Sequence, residues 1–162
     1  MVKFVMKKIF FLDYDNTIAK PRHSPSPEMV IVLNKTLETK KVAIITAGRT
    51  EIELRNLLMP YIKEDLLKNL YLCPYYGNKI FSYKEDWKNI YSSEIISKER
   101  RERISNIIKE LNWERYVEHK NHKPLITDRE SYLSVDCLGI STEAEKITWD
   151  RDRRIRQEIK KE

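Results

Sequence analysis

The 162 residues, 41% of them hydrophobic and 35% charged, suffice for one compact domain, or a small core with an insertion, under a heavily ionic surface. The 31 basic and 25 acidic residues give +6, but bases sit beside acids, as in Lys63-Glu64 and Glu99-Arg100, so this reads as solvated helix surface with at most a modest attraction for anionic ligands. No basic stripe marks a nucleic-acid-binding module, and no apolar run approaches the ~18 residues of a membrane span.

In chain order, Lys7 and Lys8 interrupt the apolar N-terminus, so no signal-peptide core is expected. Ile9-Phe10-Phe11-Leu12 is a continuous apolar run that suits a strand buried on both faces. It ends in the polar loop Asp13-Tyr14-Asp15-Asn16-Thr17. A proline- and serine-rich connector follows from Pro21. Ser26-Pro27-Glu28 then predicts a helix start, serine as N-cap and proline at the first position, with Met29, Val30, Leu33 and Leu37 along the helix. Lys41-Val42-Ala43-Ile44-Ile45 predicts a second buried strand leading into Thr46-Ala47-Gly48-Arg49. Thr50 and Glu53 form a capping box for a helix with apolar Ile52, Leu57 and Leu58. Leu70-Tyr71-Leu72-Cys73 predicts a third strand. This strand-helix alternation implies an α/β fold with a parallel sheet and right-handed crossovers.

Beyond Gly77 the pattern changes. Residues 79–83 and 89–91 predict a hairpin, 98–111 an amphipathic helix striped with Ile104, Ile107, Ile108 and Leu111, and 116–119, 125–127 and 132–138 further strands. That is an α+β unit. Residues 150–162 predict a charged helix anchored by Ile155 and Ile159. Tyr75, Tyr76 and Trp87 are expected to pack the hairpin, and His119 and His122 to be solvated loop residues without zinc-like partners. Cys73 and Cys137 have no motif spacing and read as small buried hydrophobes of a soluble protein in a reducing, cytoplasmic compartment.

The chemistry concentrates at two strand ends. Asp13 and Asp15, two residues apart where a strand stops, repel each other, and a divalent cation relieves that repulsion economically. Mg2+ suits one or two carboxylates plus waters and a phosphate oxygen. One carboxylate can then attack phosphorus while the other acts as general acid and base. The hydroxyl of Thr46 and the backbone at Ala47 and Gly48 offer donors to a phosphoryl group beside a helix start. Taken singly, the first loop also fits an acidic turn and the second an ordinary turn before a helix. Together, with a strand-helix-strand between them, they favour phosphoryl chemistry.

Residues 10–18 resemble motif I of the haloacid dehalogenase (HAD) superfamily, and Ile44-Ile45-Thr46-Ala47-Gly48-Arg49 resembles its motif II. The segment from Tyr71 through Trp87 to Tyr91 is similar to the approach to the cap of the phosphomannomutase-like, type IIB branch. Asp128-Arg129, Leu138-Gly139, Lys146 and Trp149-Asp150-Arg151-Asp152 resemble the closing of that cap. The resemblance implies a Rossmann-like core over 1–80, an α+β cap over 81–150 and a return helix from 151 to 162. It also implies Asp13 as nucleophile and metal ligand, Asp15 as general acid/base that also offers its backbone carbonyl to Mg2+, Thr17 bracing the loop, Thr46 holding the phosphoryl group, and Arg49 in support. The activity implied is Mg2+-dependent hydrolysis or mutase transfer on a phosphorylated small molecule, a sugar phosphate foremost.

The lysine of motif III and the acidic cluster of motif IV have no counterpart in a similar run. A chain of this kind would need a partner chain or self-association to complete its core, leaving exposed sheet edges and apolar faces meanwhile. It would otherwise be a degenerate remnant, or a capless phosphatase in which Lys123 and Asp136 stand for the two motifs. Arg129 is a further candidate for meeting substrate from the cap.

Overall fold

A computed structural model describes residues 9–117, 124–129, 131–139 and 143–161. The chain divides into two compact units, one ending at Ser93 and the other beginning at Glu94.

The first unit is an α/β layer built on a five-stranded sheet. Strands β1 (Ile9–Asp13), β2 (Lys41–Ile45) and β3 (Leu70–Cys73) are parallel; β4 (Lys79–Lys84) and β5 (Asp86–Ser92) follow antiparallel, in the order β1-β2-β3-β4-β5. Helix α1 (Pro27–Thr39) starts as its sequence predicts, with Ser26 Oγ accepting from Met29 N at 3.3 Å and proline in the first turn. It buries Leu33 and Leu37, four residues apart on one face. Between them Asn34, a buried amide, is fully used: it donates to Val30 O (2.9 Å) and Tyr61 O (2.8 Å) and accepts from Lys63 N (3.0 Å). That clamps α1 to the segment entering β3 and satisfies the buried Asn34 amide.

Helix α2 (Glu51–Leu58) carries the expected capping box between Thr50 and Glu53. Its buried face is Leu54 and Leu58, whereas Ile52, expected inside, is 63% exposed. The i, i+4 pair takes the core face, and Ile52 falls on the opposite side.

Two further expectations change. Strand β1 is not buried on both faces. It is the edge of the sheet, with Ile9, Phe10 and Phe11 exposed and Phe11 at 65%, because β2 pairs along one side and no described strand pairs along the other. The hairpin β4–β5 continues the core sheet rather than opening a second unit near residue 80. Ser82 and Phe81 pair with β3, and Trp87 is buried against the main cluster, edge-on to Tyr83 at 5.7 Å between ring centroids. Tyr76, by contrast, is exposed.

The second unit contains helix α3 (Lys98–Glu110), a two-stranded antiparallel sheet of β6 (Leu125–Asp128) and β7 (Leu133–Asp136), and helices α4 (Glu143–Trp149) and α5 (Arg154–Ile159). The strand expected from residue 116 is replaced at its start by a tight helical turn, Trp113–Arg115, with Tyr116 N and Val117 N both donating to Trp113 O. Residues 118 and 119 lie outside the described residues. The tail helix begins only at Arg154. Asp150, 4% exposed, accepts from Ile155 N and Arg156 N with its carboxylate, and Arg153 adopts a left-handed φ of 61°, so the chain turns before it coils. Ile155 and Ile159 do anchor this tail, packing with Trp149 on Tyr116, Val117 and Leu138. No helix among the described residues is long and apolar enough to cross a membrane.

Candidate active site

The parallel pairing of β1 and β2 places Asp13 opposite Ile45. The loops that follow, one carrying Asp15 and Thr17 and the other Thr46 to Arg49, therefore emerge side by side at the carboxyl end of the sheet. This is where open α/β sheets bind ligands.

Tyr14, between the two aspartates, organises the first loop. Its ring is fully buried, its N–H donates to Ile45 O at 3.0 Å, and its Oη donates to His23 O at 2.8 Å. Its carbonyl accepts from Ile18 N (3.0 Å), Ala19 N (3.1 Å) and Thr17 N (3.4 Å), winding the loop around one oxygen. Asn16, with φ 64°, supplies the left-handed residue that such a turn needs, a conformation asparagine tolerates better than most. Burial raises the Tyr14 hydroxyl pKa, countered in part by the Arg49 guanidinium and reinforced by Asp15. With Tyr14 directed inward, Asp13 is left exposed and Asp15 half-buried.

The second loop is held from below. Thr46 N donates to Cys73 O at 3.2 Å, and Thr46 O accepts from Tyr76 N at 2.8 Å. The turn Tyr75–Gly77 that delivers this donor runs through three left-handed residues, Tyr75 (φ 54°), Tyr76 (φ 57°) and Gly77 (φ 82°). Two tyrosines in that region are a strained arrangement, tolerated where surrounding contacts over-determine it. Thr46 itself is 0% exposed, and its Oγ1 has no hydrogen-bond partner. Gly48 is exposed, and a Cβ built on it would meet nothing within 4 Å, so the loop faces open space there. Ala47 lies between them, half-buried.

Arg49 joins the two loops. Its Nη2 donates to Asp15 Oδ1 at 2.6 Å, and its guanidinium lies over the Tyr14 ring, 5.1 Å from the centroid. The side chain is 14% exposed, and its Nε is buried without a partner. Buried donors without acceptors are rare enough in folded proteins that each requires an explanation. Two of them, on Thr46 and Arg49, occupy one short loop beside two carboxylates.

A cleft of about 440 Å3 opens alongside, bounded by the first loop from Asn16 to Lys20 and by His23, Ser24 and Ser26. Asp13, Asp15, Thr17, Thr46, Ala47, Gly48 and Arg49 thus all lie in the first unit, at one end of one sheet. Asp136 and Arg129 lie in the second unit, on β7 and just after β6, in a sheet of their own; Lys123, His119 and His122 lie outside the described residues. Asp13 and Asp15 offer hard oxygen donors of the kind a divalent cation such as Mg2+ takes, with Asp15 Oδ1 already held by Arg49. Among the described residues no third acidic, histidine or cysteine side chain joins them. The pairing of Arg49 with Asp15 and the bond from Tyr76 to Thr46 are contacts at the candidate site that motif reading does not reveal. The place of Arg49 at the end of the motif II segment is the sequence signal for the first of them.

Known proteins bear on this arrangement. A family model described as haloacid dehalogenase-like hydrolase matches residues 10–161. No curated protein sequence matches the chain. Among solved structures, Plasmodium falciparum IMP-nucleotidase shares the fold. Its N-terminally truncated, IMP-bound form gives a TM-score of 0.59 at 18% identity, covering 94% of this chain and 46% of that one. The structure described simply as Plasmodium falciparum IMP-nucleotidase gives 0.62 at 18% identity over 94% and 42%, and the ATP-bound form gives 0.60 at 20% over 94% and 41%. The chain therefore spans less than half the length of these structures. With the family model covering nearly all of its residues and the two motif loops meeting at one sheet end, the chain belongs to the haloacid dehalogenase-like hydrolases.

Proposed function

We propose that the chain carries the nucleophile and the phosphoryl-binding loop of a Mg2+-dependent phosphatase acting on phosphomonoesters, sugar phosphates foremost. The observation that carries this reading is the unpartnered, buried Thr46 Oγ1 on the loop beside Asp13 and Asp15. An incoming phosphoryl oxygen would satisfy that hydroxyl as nothing else nearby does. Asp13, exposed at the strand end, attacks phosphorus to form an aspartyl-phosphate. Asp15, which Arg49 holds in the free chain, delivers a proton to the departing oxygen and later takes one from water. Asp13 and Asp15 would hold Mg2+, which when bound offsets the charge between carboxylates and phosphate. The IMP-nucleotidase that shares the fold has been solved with IMP bound, a phosphorylated small molecule. Two thiols without disulfide partners favour a cytoplasmic setting.

The same residues would serve a phosphosugar mutase. A second reading, a fragment completed by a partner chain or by self-association, draws support from β1, which no other strand among the described residues covers on its outer edge and which leaves Phe10 and Phe11 exposed. The test is hydrolysis of an aryl phosphate and of sugar phosphates by the purified chain, with and without Mg2+, beside Asp13→Asn. Metal-dependent turnover that disappears in Asp13→Asn is the expected result. A folded chain that turns over none of these substrates rejects catalysis by the isolated chain and leaves the fragment reading.

A further inference from the structure

We propose that Arg49 is a shared cation: it holds Asp15 in the free chain and transfers to an incoming tetrahedral oxyanion that also takes Thr46 Oγ1. The proposal rests on the phosphoryl site argued above and adds how that site couples to Asp15. A guanidinium presents five N–H donors in a rigid fork. Here one arm is committed to Asp15 Oδ1, while Nε is buried and bonds to nothing. The plane rests on the Tyr14 ring, and that ring is immobilised by its burial and by its bond to His23 O. Pivoting on this surface, the fork can exchange one anion for another while keeping its aromatic contact. Thr46, the other unsatisfied donor, lies three residues away in the same loop, held through its own backbone by Cys73 and Tyr76.

A phosphoryl group thus has two donors to satisfy, and Asp15 is released as it docks. The free chain spends Arg49 on Asp15, so its anion affinity is lower than the loop alone would allow. Removing the Asp15 charge returns the arginine to the anion.

The experiment is a calorimetric titration of the metal-free, full-length chain with inorganic phosphate, in the wild type, Asp15→Asn, Arg49→Met and the double variant. Asp15→Asn should tighten phosphate about tenfold, equivalent to ~1.4 kcal/mol, when Arg49 is present. In the Arg49→Met background the same change should have an effect of roughly twofold or less, because the two sites are then uncoupled. Equal tightening in both backgrounds would mean simple relief of charge repulsion and would overturn the proposal. So would the absence of phosphate binding in Asp15→Asn. Arg49→Gln, nearer in shape, carries the same expectation if the methionine variant does not fold. Turnover plays no part in this readout. A chain showing the coupling without hydrolysing anything sinks the hydrolase reading alone, and hydrolysis without the coupling sinks this proposal alone.

Discussion

The two units use their apolar residues very differently. The first gathers Tyr14, Leu33, Leu37, Ile44, Leu54, Leu72 and their neighbours into one buried cluster that packs both helices against the sheet. Among the described residues the second gathers Tyr116, Val117 and Leu138 into its buried cluster, with Trp149, Ile155 and Ile159 partly covered and Trp113 buried apart from it, and the 13 residues of α3 include none that is buried. Its order relies instead on polar contacts: Arg101 with Asp128 at 2.8 Å, Trp113 Nε1 with Ile108 O at 2.7 Å, and Trp149 Nε1 with Tyr116 O at 2.9 Å. Partly exposed bonds of this kind contribute little beside a packed core. Every residue placed at the candidate site belongs to the first unit, where rigid packing can hold loop geometry to within a fraction of an ångström. Local opening should be concentrated in the second.

The largest effect should come from breaking the first core. Leu72 is fully buried in the central strands, and Leu72→Ala should cost about 2–5 kcal/mol. Ile159→Ala, at a half-buried position of the second cluster, should cost about 1 kcal/mol or less in its own unit. The tryptophans separate the two readings, since Trp87 lies in the first unit and Trp113 and Trp149 in the second. Denaturant titration of a Trp113→Phe/Trp149→Phe chain follows the first unit alone, and that of a Trp87→Phe chain the second. Comparable losses from Leu72→Ala and Ile159→Ala would erase the contrast in core packing.

A smaller effect tests how local capping supports the site. Thr50 Oγ1 accepts from Glu53 N at 3.1 Å, and Glu53 Oε2 accepts from Thr50 N at 2.6 Å, fixing the start of α2 with a cap residue that directly follows Arg49. Thr50→Ala should cost ~1 kcal/mol in the Trp87-reported transition. It should leave the transition reported by Trp113 and Trp149 in place. A shift of both would mean that the cap's influence reaches beyond its own unit.

How much of this was readable beforehand follows from which interactions are local. The caps of α1 and α2 involve residues three apart, so Ser26-Pro27 and Thr50-Glu53 announced both helices. Asp13-x-Asp15 and Thr46-x-Gly48 were legible because each directly follows a strand, and parallel pairing then brings the loops together. The apolar run of β1 showed that the strand can be buried, but burial depends on neighbours that its own residues do not encode. The alternation over residues 79–91 predicts a hairpin but does not say which sheet it joins, and β4 pairs with β3 of the core sheet. The bonds from Arg49 to Asp15 and from Tyr76 to Thr46 link residues 34 and 30 positions apart through left-handed turns at Asn16, Tyr75 and Tyr76. No short-range pattern encodes such contacts.

The subtlest contrast lies in the two thiols. Cys73, at the end of β3 and 3% exposed, has its thiol pushed by burial from 9.0 up to about 11. Cys137, half-buried in the second unit, is also raised by burial, with Arg156 pulling it back down. A folded thiol that holds its proton longer than the unfolded one contributes stability fully present below the unfolded pKa. That contribution is lost as pH rises toward the folded value, because the unfolded chain binds fewer protons across the interval. The Trp87-reported midpoint should therefore fall as pH climbs from 9.0 toward about 11, and Cys73→Ala should flatten the fall. Tyr14, raised from 10.0 by its own burial, acts with the same sign at higher pH, so the interval between 9.0 and 10.0 isolates the thiol. Cys137→Ala should leave this slope alone. An unchanged slope in Cys73→Ala would show that the thiol at the end of β3 is less desolvated than its burial implies, and with it the floor beneath Thr46, which bonds to the Cys73 carbonyl.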